Sequence, residues 1–170
     1  MSDPLATPQA AHAAVHPALG PLARLVGVWR GEGEGAFPTI TSFRYREEIE
    51  FTHDGRPVLA YRQRTWRIDA EVPMHGESGF LRGPVDGGVD LIIAQPTGFA
   101  EVATLTVAEE DATLVLDGAR AALQRTPGAK DVRDVRRRFS LDGDTLHYDL
   151  WMSYAGHEDE HHLRAVLHRA

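Results

Sequence analysis

The 170-residue chain contains no cysteine. Disulfides, thiolate metal sites, iron–sulfur clusters and cysteine nucleophiles are therefore excluded, so any metal must be held by histidine, carboxylate or tyrosine. Basic charge is also scarce, since 18 Lys and Arg against 25 Asp and Glu leave a net charge of -7. This balance argues against a nucleic-acid partner, which would require a basic patch.

Long apolar runs are missing as well. No stretch approaches the roughly 20 apolar residues of a membrane-spanning helix, and the N-terminus lacks the basic and apolar regions of a secretory signal. These absences predict a cytoplasmic protein with no membrane partner. Residues 1–16 are rich in Ala, Pro and His without strand alternation, and they are expected to form a flexible tail before a single domain at residues 17–170.

The chain does contain an unusual run, GVWRGEGEG, in which glycines alternate around one tryptophan. One side of the extended chain would carry Gly27, Trp29, Gly31, Gly33 and Gly35. Glycine weakens a strand unless the backbone must bend or another group approaches it closely. The run therefore predicts a strongly curved first strand, with Trp29 closing one end of a small barrel.

The rest of the chain has the pattern of many short antiparallel strands. Residues 39–51 alternate between apolar and polar side chains, and further extended segments follow at short intervals between Gly, Pro and Asp turns. A meander removes its unpaired edges best by closing, so we expect an all-β, up-and-down barrel of about ten strands with room for one ligand. Leu19, Leu22 and Leu25 have helical spacing and predict a short lid. An open β-sandwich is the alternative.

The segment HEDEH, residues 157–161, matches the H-E-x-x-H pattern of zinc proteases. That chemistry requires a helix with an apolar packing face, whereas this segment follows Gly156, lies between two predicted strands and contains no apolar residue. We expect a charged hairpin loop instead. Such a loop could still bind a metal adventitiously through His157, His161 and His162.

From about residue 16 onward, the sequence resembles the nitrobindins, small heme proteins with a barrel like that of the fatty-acid-binding proteins. The family's GxWxGxG motif is present as GVWRGEG from Gly27 to Gly33, and an aromatic strand, FRYREEIEF, follows it. YRQRTW, VPMHGESGFLR, AQPTGFAEV and the closing HLRAVLHR also match the family pattern in order. The resemblance implies a lipocalin-like barrel that binds one heme b per chain.

By this resemblance, His162 aligns with the proximal heme ligand. The residue pattern raises an objection, because Leu163, Ala165 and Leu167 form the apolar face of the last strand and His162 has the opposite parity. His161 shares that face and is the reserve candidate. A bulge would redirect His162 toward the interior, and such irregularities are common beside functional sites.

Three further positions are implied to contact heme. Thr39 should point into the barrel near its mouth, and Lys130 would pair with a heme propionate. His75 would approach the open side of the heme. Each residue also has an ordinary structural interpretation, as a barrel, loop or turn residue.

The resemblance implies that ferric heme isomerises peroxynitrite to nitrate, with His162 acting through the iron, and that nitric oxide binds reversibly. A non-enzymatic carrier of a fatty acid or other small hydrophobic ligand is the alternative. An inward Arg62, Arg64 or Arg138 would favour the carrier, since such proteins fix a ligand carboxylate with buried Arg and Tyr. A purely structural or partner-binding barrel would have a filled interior, with no cavity large enough for a porphyrin. Exposed barrel faces are compatible with a homodimer.

Overall fold

A computed structural model describes residues 14–85 and 87–170. Residues 1–13, most of the expected tail, lie outside this range. A 3₁₀ helix, Pro17–Leu25, is followed by strands that all pair antiparallel within one sheet. The strands are β1 (Gly27–Phe37), β2 (Ile40–Thr52), β3 (Val58–Arg67), β4 (Pro73–Val85), β5 (Gly88–Ala94), β6 (Phe99–Glu110), β7 (Thr113–Gly118), β8 (Ala122–Arg125), β9 (Val132–Asp142), β10 (Thr145–Tyr154) and β11 (His157–Arg169).

The sheet closes on itself, which confirms the barrel and excludes the open sandwich. Its order is β5-β4-β3-β2-β1-β11-β10-β9-β7-β6-β8, and β5 also pairs with β6. The short β8, which the sequence pattern did not predict, pairs with β6 beyond the segment that β6 shares with β7. β7 and β8 therefore lie one after the other along β6 and together fill one strand position. Counted in this way, the barrel has ten strand positions, as expected.

The 3₁₀ helix and Trp29 close one end of the barrel, as predicted. Leu19, Leu22 and Leu25 are fully buried, and Trp29 is completely inaccessible. The indole Nε1 donates a hydrogen bond to the carbonyl of Leu25 at 2.7 Å. The Arg169 guanidinium lies 4.1 Å from the centre of the indole ring, a cation–π contact that fixes the last strand against the first.

The glycines of β1 make room for neighbouring groups. A Cβ on Gly33 would collide with the ring of Tyr45, its partner on β2. A Cβ on Gly31 would collide with the backbone carbonyl of Val166 on β11. Close packing across β1 therefore requires glycine at both positions.

This geometry predicts that Gly31→Ala destabilises the barrel by about 1–3 kcal/mol, because the backbone of β11 must move away. Gly76→Ala is the matched control, since a Cβ there would lie 3.5 Å from the Gln63 carbonyl, an ordinary contact. Urea unfolding of both variants measures the difference. Equal free energies of unfolding would show that β1 and β11 do not approach each other so closely.

No helix in the described part of the chain is long and apolar enough to span a bilayer.

Candidate heme site

A cavity of about 300 Å³ lies in the end of the barrel opposite Trp29. Its rim includes the exposed side chains of Ile40 and Met74, whereas Glu77 and Arg137 at its floor are buried. Aromatic and aliphatic side chains form much of the wall, namely Phe37, Phe43, Phe99, Val132, Val135, Leu150, Met152, Tyr154 and Leu163. An apolar cavity with a few polar groups is typical of a small-molecule or cofactor site.

His162 lines this cavity because β11 contains a bulge at that residue. Leu163 pairs with Leu150 of β10, whereas the next β10 residue, Trp151, pairs with His161. His162 is thus the extra residue between two consecutive pairs. The bulge allows both His162 and Leu163 to line the cavity, which resolves the parity objection raised by the sequence.

The His162 ring is held by one hydrogen bond and two aromatic contacts. Its Nδ1 lies 2.9 Å from the carbonyl oxygen of Ala36, an acceptor, so Nδ1 carries the proton and donates. The rings of Phe37 and Phe43 lie edge-on to the imidazole, with centroids at 5.6 and 6.4 Å. Nε2 makes no hydrogen bond within the described ranges and is available to a metal. A backbone carbonyl commonly fixes a metal-binding histidine in this way.

Burial lowers the pKa of His162 from its ordinary value of 6.5. The Ala36 hydrogen bond opposes this shift, while the positive charges of Lys130, His161 and His75 reinforce it. A lowered pKa keeps the imidazole neutral at pH 6.5 and above. His162 is therefore in the protonation state that a metal requires.

In the heme-free protein, the NMR titration midpoint of His162 should accordingly lie below pH 6.5. Lys130→Met should raise the midpoint, because it removes a positive charge that disfavours the imidazolium. Arg133→Met, which removes an exposed cation from the neighbouring β9, should have a smaller effect. A midpoint at or above 6.5 in the unaltered protein would contradict the described burial.

The three weaker sequence candidates also line the cavity. Thr39 lies in the turn between β1 and β2, rather than at the start of the predicted strand, and it is exposed at the rim. Lys130, the only lysine of the chain, is held there by its backbone N–H, which donates to the Thr97 carbonyl at 3.3 Å. His75 is half-buried, with Nε2 3.4 Å from the Glu77 carboxylate. All three are thus in the same cavity as His162.

His161, the reserve candidate, does not line the cavity. Its Nε2 lies 2.7 Å from the Asp149 carboxylate, and its ring packs against Trp151.

The prediction of a hairpin loop at HEDEH is wrong. A two-residue turn, Ala155–Gly156, has positive φ at both positions and lets β11 begin at His157. Within residues 14–85 and 87–170, no three His, Asp or Glu side chains are grouped to bind a metal ion.

Sequence reasoning missed a buried ionic cluster at the cavity floor. Arg137 forms a bidentate pair with Glu77, at 2.6 and 2.9 Å, and also donates to Glu101 and to the Tyr148 hydroxyl. Tyr61 donates to Glu77, and Gln95 donates to Glu101. We call Arg137, Glu77 and Glu101 the Arg137 cluster. Strand parity could have revealed it, because Arg137 shares an inward face with Phe139 and Leu141.

Glu47 is a second buried carboxyl that the sequence analysis omitted, although it alternates in phase with Tyr45 and Ile49. Its pKa is raised to about 8, chiefly by burial; a hydrogen bond from Gln63 and the charge of Arg137 limit the rise, whereas the charge of Glu77 adds to it. Glu47 is thus mainly protonated at neutral pH. Its Oε2 has no partner within the described residues.

The donor set of the cavity fits heme. His162 offers one neutral nitrogen ligand, the aromatic walls suit a flat apolar macrocycle, and Lys130 at the exposed rim suits a propionate. The cavity volume is at the lower end of the range for cofactor sites. A larger ligand can extend past the apolar rim formed by Ile40 and Met74, whose exposed fractions are 47% and 41%.

Comparisons with known proteins agree with this chemistry. The model of the THAP4-like, heme-binding beta-barrel domain matches residues 18–169. A protein named peroxynitrite isomerase from Nocardia farcinica is 46% identical over 156 residues, which cover 92% of this chain and 93% of that protein. Peroxynitrite isomerase 1 from Rhodococcus jostii is 46% identical over 148 residues, covering 87% and 82%.

The crystal structure of Rv2717c from M. tuberculosis has the same fold. It matches with a TM-score of 0.87 at 38% identity, over 92% of this chain and 99% of that one. The chain therefore belongs to the THAP4-like heme-binding β-barrel family, as its resemblance to the nitrobindins predicted.

Proposed function

We propose that the protein binds one heme b in the cavity through His162 and, with the iron ferric, isomerises peroxynitrite to nitrate. The observation that carries the proposal is the His162 imidazole, which donates Nδ1–H to the Ala36 carbonyl and leaves Nε2 for iron inside an apolar cavity. Family membership supports heme as the ligand, and relatives named peroxynitrite isomerase support the reaction.

Ferric heme held by His162 would supply a Lewis-acidic iron, which suits a rearrangement that needs neither added electrons nor an acid–base pair. We include reversible binding of nitric oxide to the heme in the proposal.

The chain's own residues would hold the cofactor and guide an anionic substrate. Ala36, Phe37 and Phe43 fix the imidazole orientation, and the apolar walls exclude water. Lys130 would pair with a propionate, and Thr39 would contact the cofactor edge at the rim. His75 would face the open side of the heme.

The carrier alternative finds less support in the geometry. Arg62 is exposed, Arg64 pairs with Glu48 on the outer surface, and Arg138 lies beside Asp117. The arginine that does face the interior, Arg137, is already bound by two carboxylates. It is therefore poorly suited to a third carboxylate from a fatty acid. The purely structural alternative predicted a filled interior, and the cavity contradicts it.

The isomerase proposal is tested by stopped-flow mixing of peroxynitrite with protein loaded with ferric hemin. We expect decay to accelerate in proportion to loaded protein and the nitrate yield to rise, with heme-free protein as the control. Decay no faster than with heme-free protein, despite full loading with hemin, would contradict the isomerase activity and leave only the binding of heme or nitric oxide.

A further inference from the structure

The Arg137 cluster has a charge imbalance inside the barrel. Arg137 contributes one positive charge. The carboxylates of Glu77 and Glu101 each accept hydrogen bonds from its guanidinium through both oxygens, as ionised carboxylates do. Glu77 remains ionised because, although burial opposes it, Arg137 and His75 hold its pKa at about 2. One positive and two negative charges therefore leave one net negative charge. All three side chains are at most 4% exposed, so solvent screens this charge weakly.

Neighbouring groups do not cancel this charge as long as His75, whose Nε2 lies 3.4 Å from the Glu77 carboxylate, is a neutral imidazole. Tyr61, Tyr148 and Gln95 are neutral hydrogen-bonding partners, and Glu47 is mainly protonated at neutral pH. Lys130 belongs to the same cavity but lies exposed at its rim, where water and salt screen its charge. The floor of the cavity is therefore electronegative.

We propose that the Arg137 cluster stabilises the ferric state of the heme by placing one uncompensated negative charge at the floor of the cavity that contains His162. The inference rests on the proposed binding of heme at His162. Reduction of ferric to ferrous iron adds one electron and removes one positive charge from the site. A buried negative charge nearby favours the more positive, oxidised state, and charge and burial are established determinants of heme potential.

The test is the heme reduction potential of hemin-loaded Glu77→Gln and Glu101→Gln, measured by spectroelectrochemistry at pH 7. Each variant removes one buried negative charge while keeping the side-chain shape. A unit charge acting across a cavity at an effective dielectric of about 20 is worth roughly a tenfold change in an equilibrium. We expect the ferric-to-ferrous ratio at a fixed ambient potential to fall about tenfold, equivalent to a rise of about 59 mV.

Two matched controls separate the charge effect from general disturbance. Glu48→Gln removes the same charge from a carboxylate that pairs with Arg30 and Arg64 on the outer surface, and it should leave the potential unchanged. Glu47→Gln changes a buried carboxyl that is mainly protonated at pH 7 and should also have little effect. If either cluster variant fails to fold, Gln95→Glu adds a carboxylate beside Glu101 and should shift the ratio in the opposite direction.

Each outcome has a distinct meaning. Variants that bind heme with wild-type Soret spectra but unchanged potentials would overturn the inference and leave heme binding intact. A shift as large in Glu48→Gln as in Glu77→Gln would also overturn it. Failure of the unaltered protein to bind hemin would contradict the proposed function instead.

Discussion

His162→Ala should weaken hemin binding by more than about 100-fold and abolish the Soret spectrum of the wild-type complex. Loss of a group that merely orients a metal ligand costs about 10–100-fold in affinity, and loss of the ligand itself should cost more. The substitution removes the nitrogen that the Ala36 hydrogen bond prepares for iron. Hemin titration followed by absorbance gives both the affinity and the spectrum.

His161→Ala provides a control one residue away in the same strand. Its imidazole contacts Asp149 and Trp151 outside the cavity, so its removal should leave the hemin affinity and Soret maximum unchanged. If His162→Ala gives the same hemin spectrum as His161→Ala and the wild type, His162 is not the ligand. Loss of the Soret spectrum in His161→Ala but not in His162→Ala would assign the ligand to His161 instead.

Arg137→Met should destabilise the heme-free barrel by about 3–5 kcal/mol, the largest stability effect that we expect of any single substitution. Removing one partner of a buried ion pair leaves uncompensated charge in a medium of low dielectric, and here two carboxylates, Glu77 and Glu101, lose their shared partner. Urea unfolding monitored by tryptophan fluorescence measures the loss.

The neighbouring Arg138→Met is the matched control. Arg138 is 43% exposed and lies 3.9 Å from Asp117, so its loss should change the free energy of unfolding by less than about 1 kcal/mol. Combining Arg137→Met with Glu77→Gln and Glu101→Gln removes the stranded charges and should recover much of the stability. Similar effects of Arg137→Met and Arg138→Met would show that the Arg137 cluster is not buried as described.

The barrel was predictable because its signals are local. Alternation of apolar and polar side chains marked β2 and β10, and short turns specified a meander. The glycines of β1 indicated that the first strand must bend or be approached closely, and the rings packed over Gly33 and Gly35 show the close approach. The short β8 was missed because four residues, only one of which is even half-buried, carry too little alternation.

The orientation of His162 could not be derived from alternation alone, since a bulge shifts the phase of the strand by one residue. The pairing of β1 with β2 also changes register between Gly35 and Phe37, beside the carbonyl that His162 contacts. Both irregularities are properties of strand pairs, β10 with β11 and β1 with β2, and alternation within one strand does not reveal them. The Arg137 cluster was missed for a different reason. A charged residue on an apolar face is costly unless partners neutralise it, and here the partners, Glu77 and Glu101, come from other strands that are distant in sequence.

The central claim is that His162 holds heme through Nε2 while Nδ1–H remains on the Ala36 carbonyl. A crystal structure of the hemin-loaded protein tests it most directly. We expect one heme in the cavity, iron bonded to Nε2 of His162, and a propionate directed toward Lys130. Iron bonded to another residue, or heme lying outside the cavity, would contradict the account.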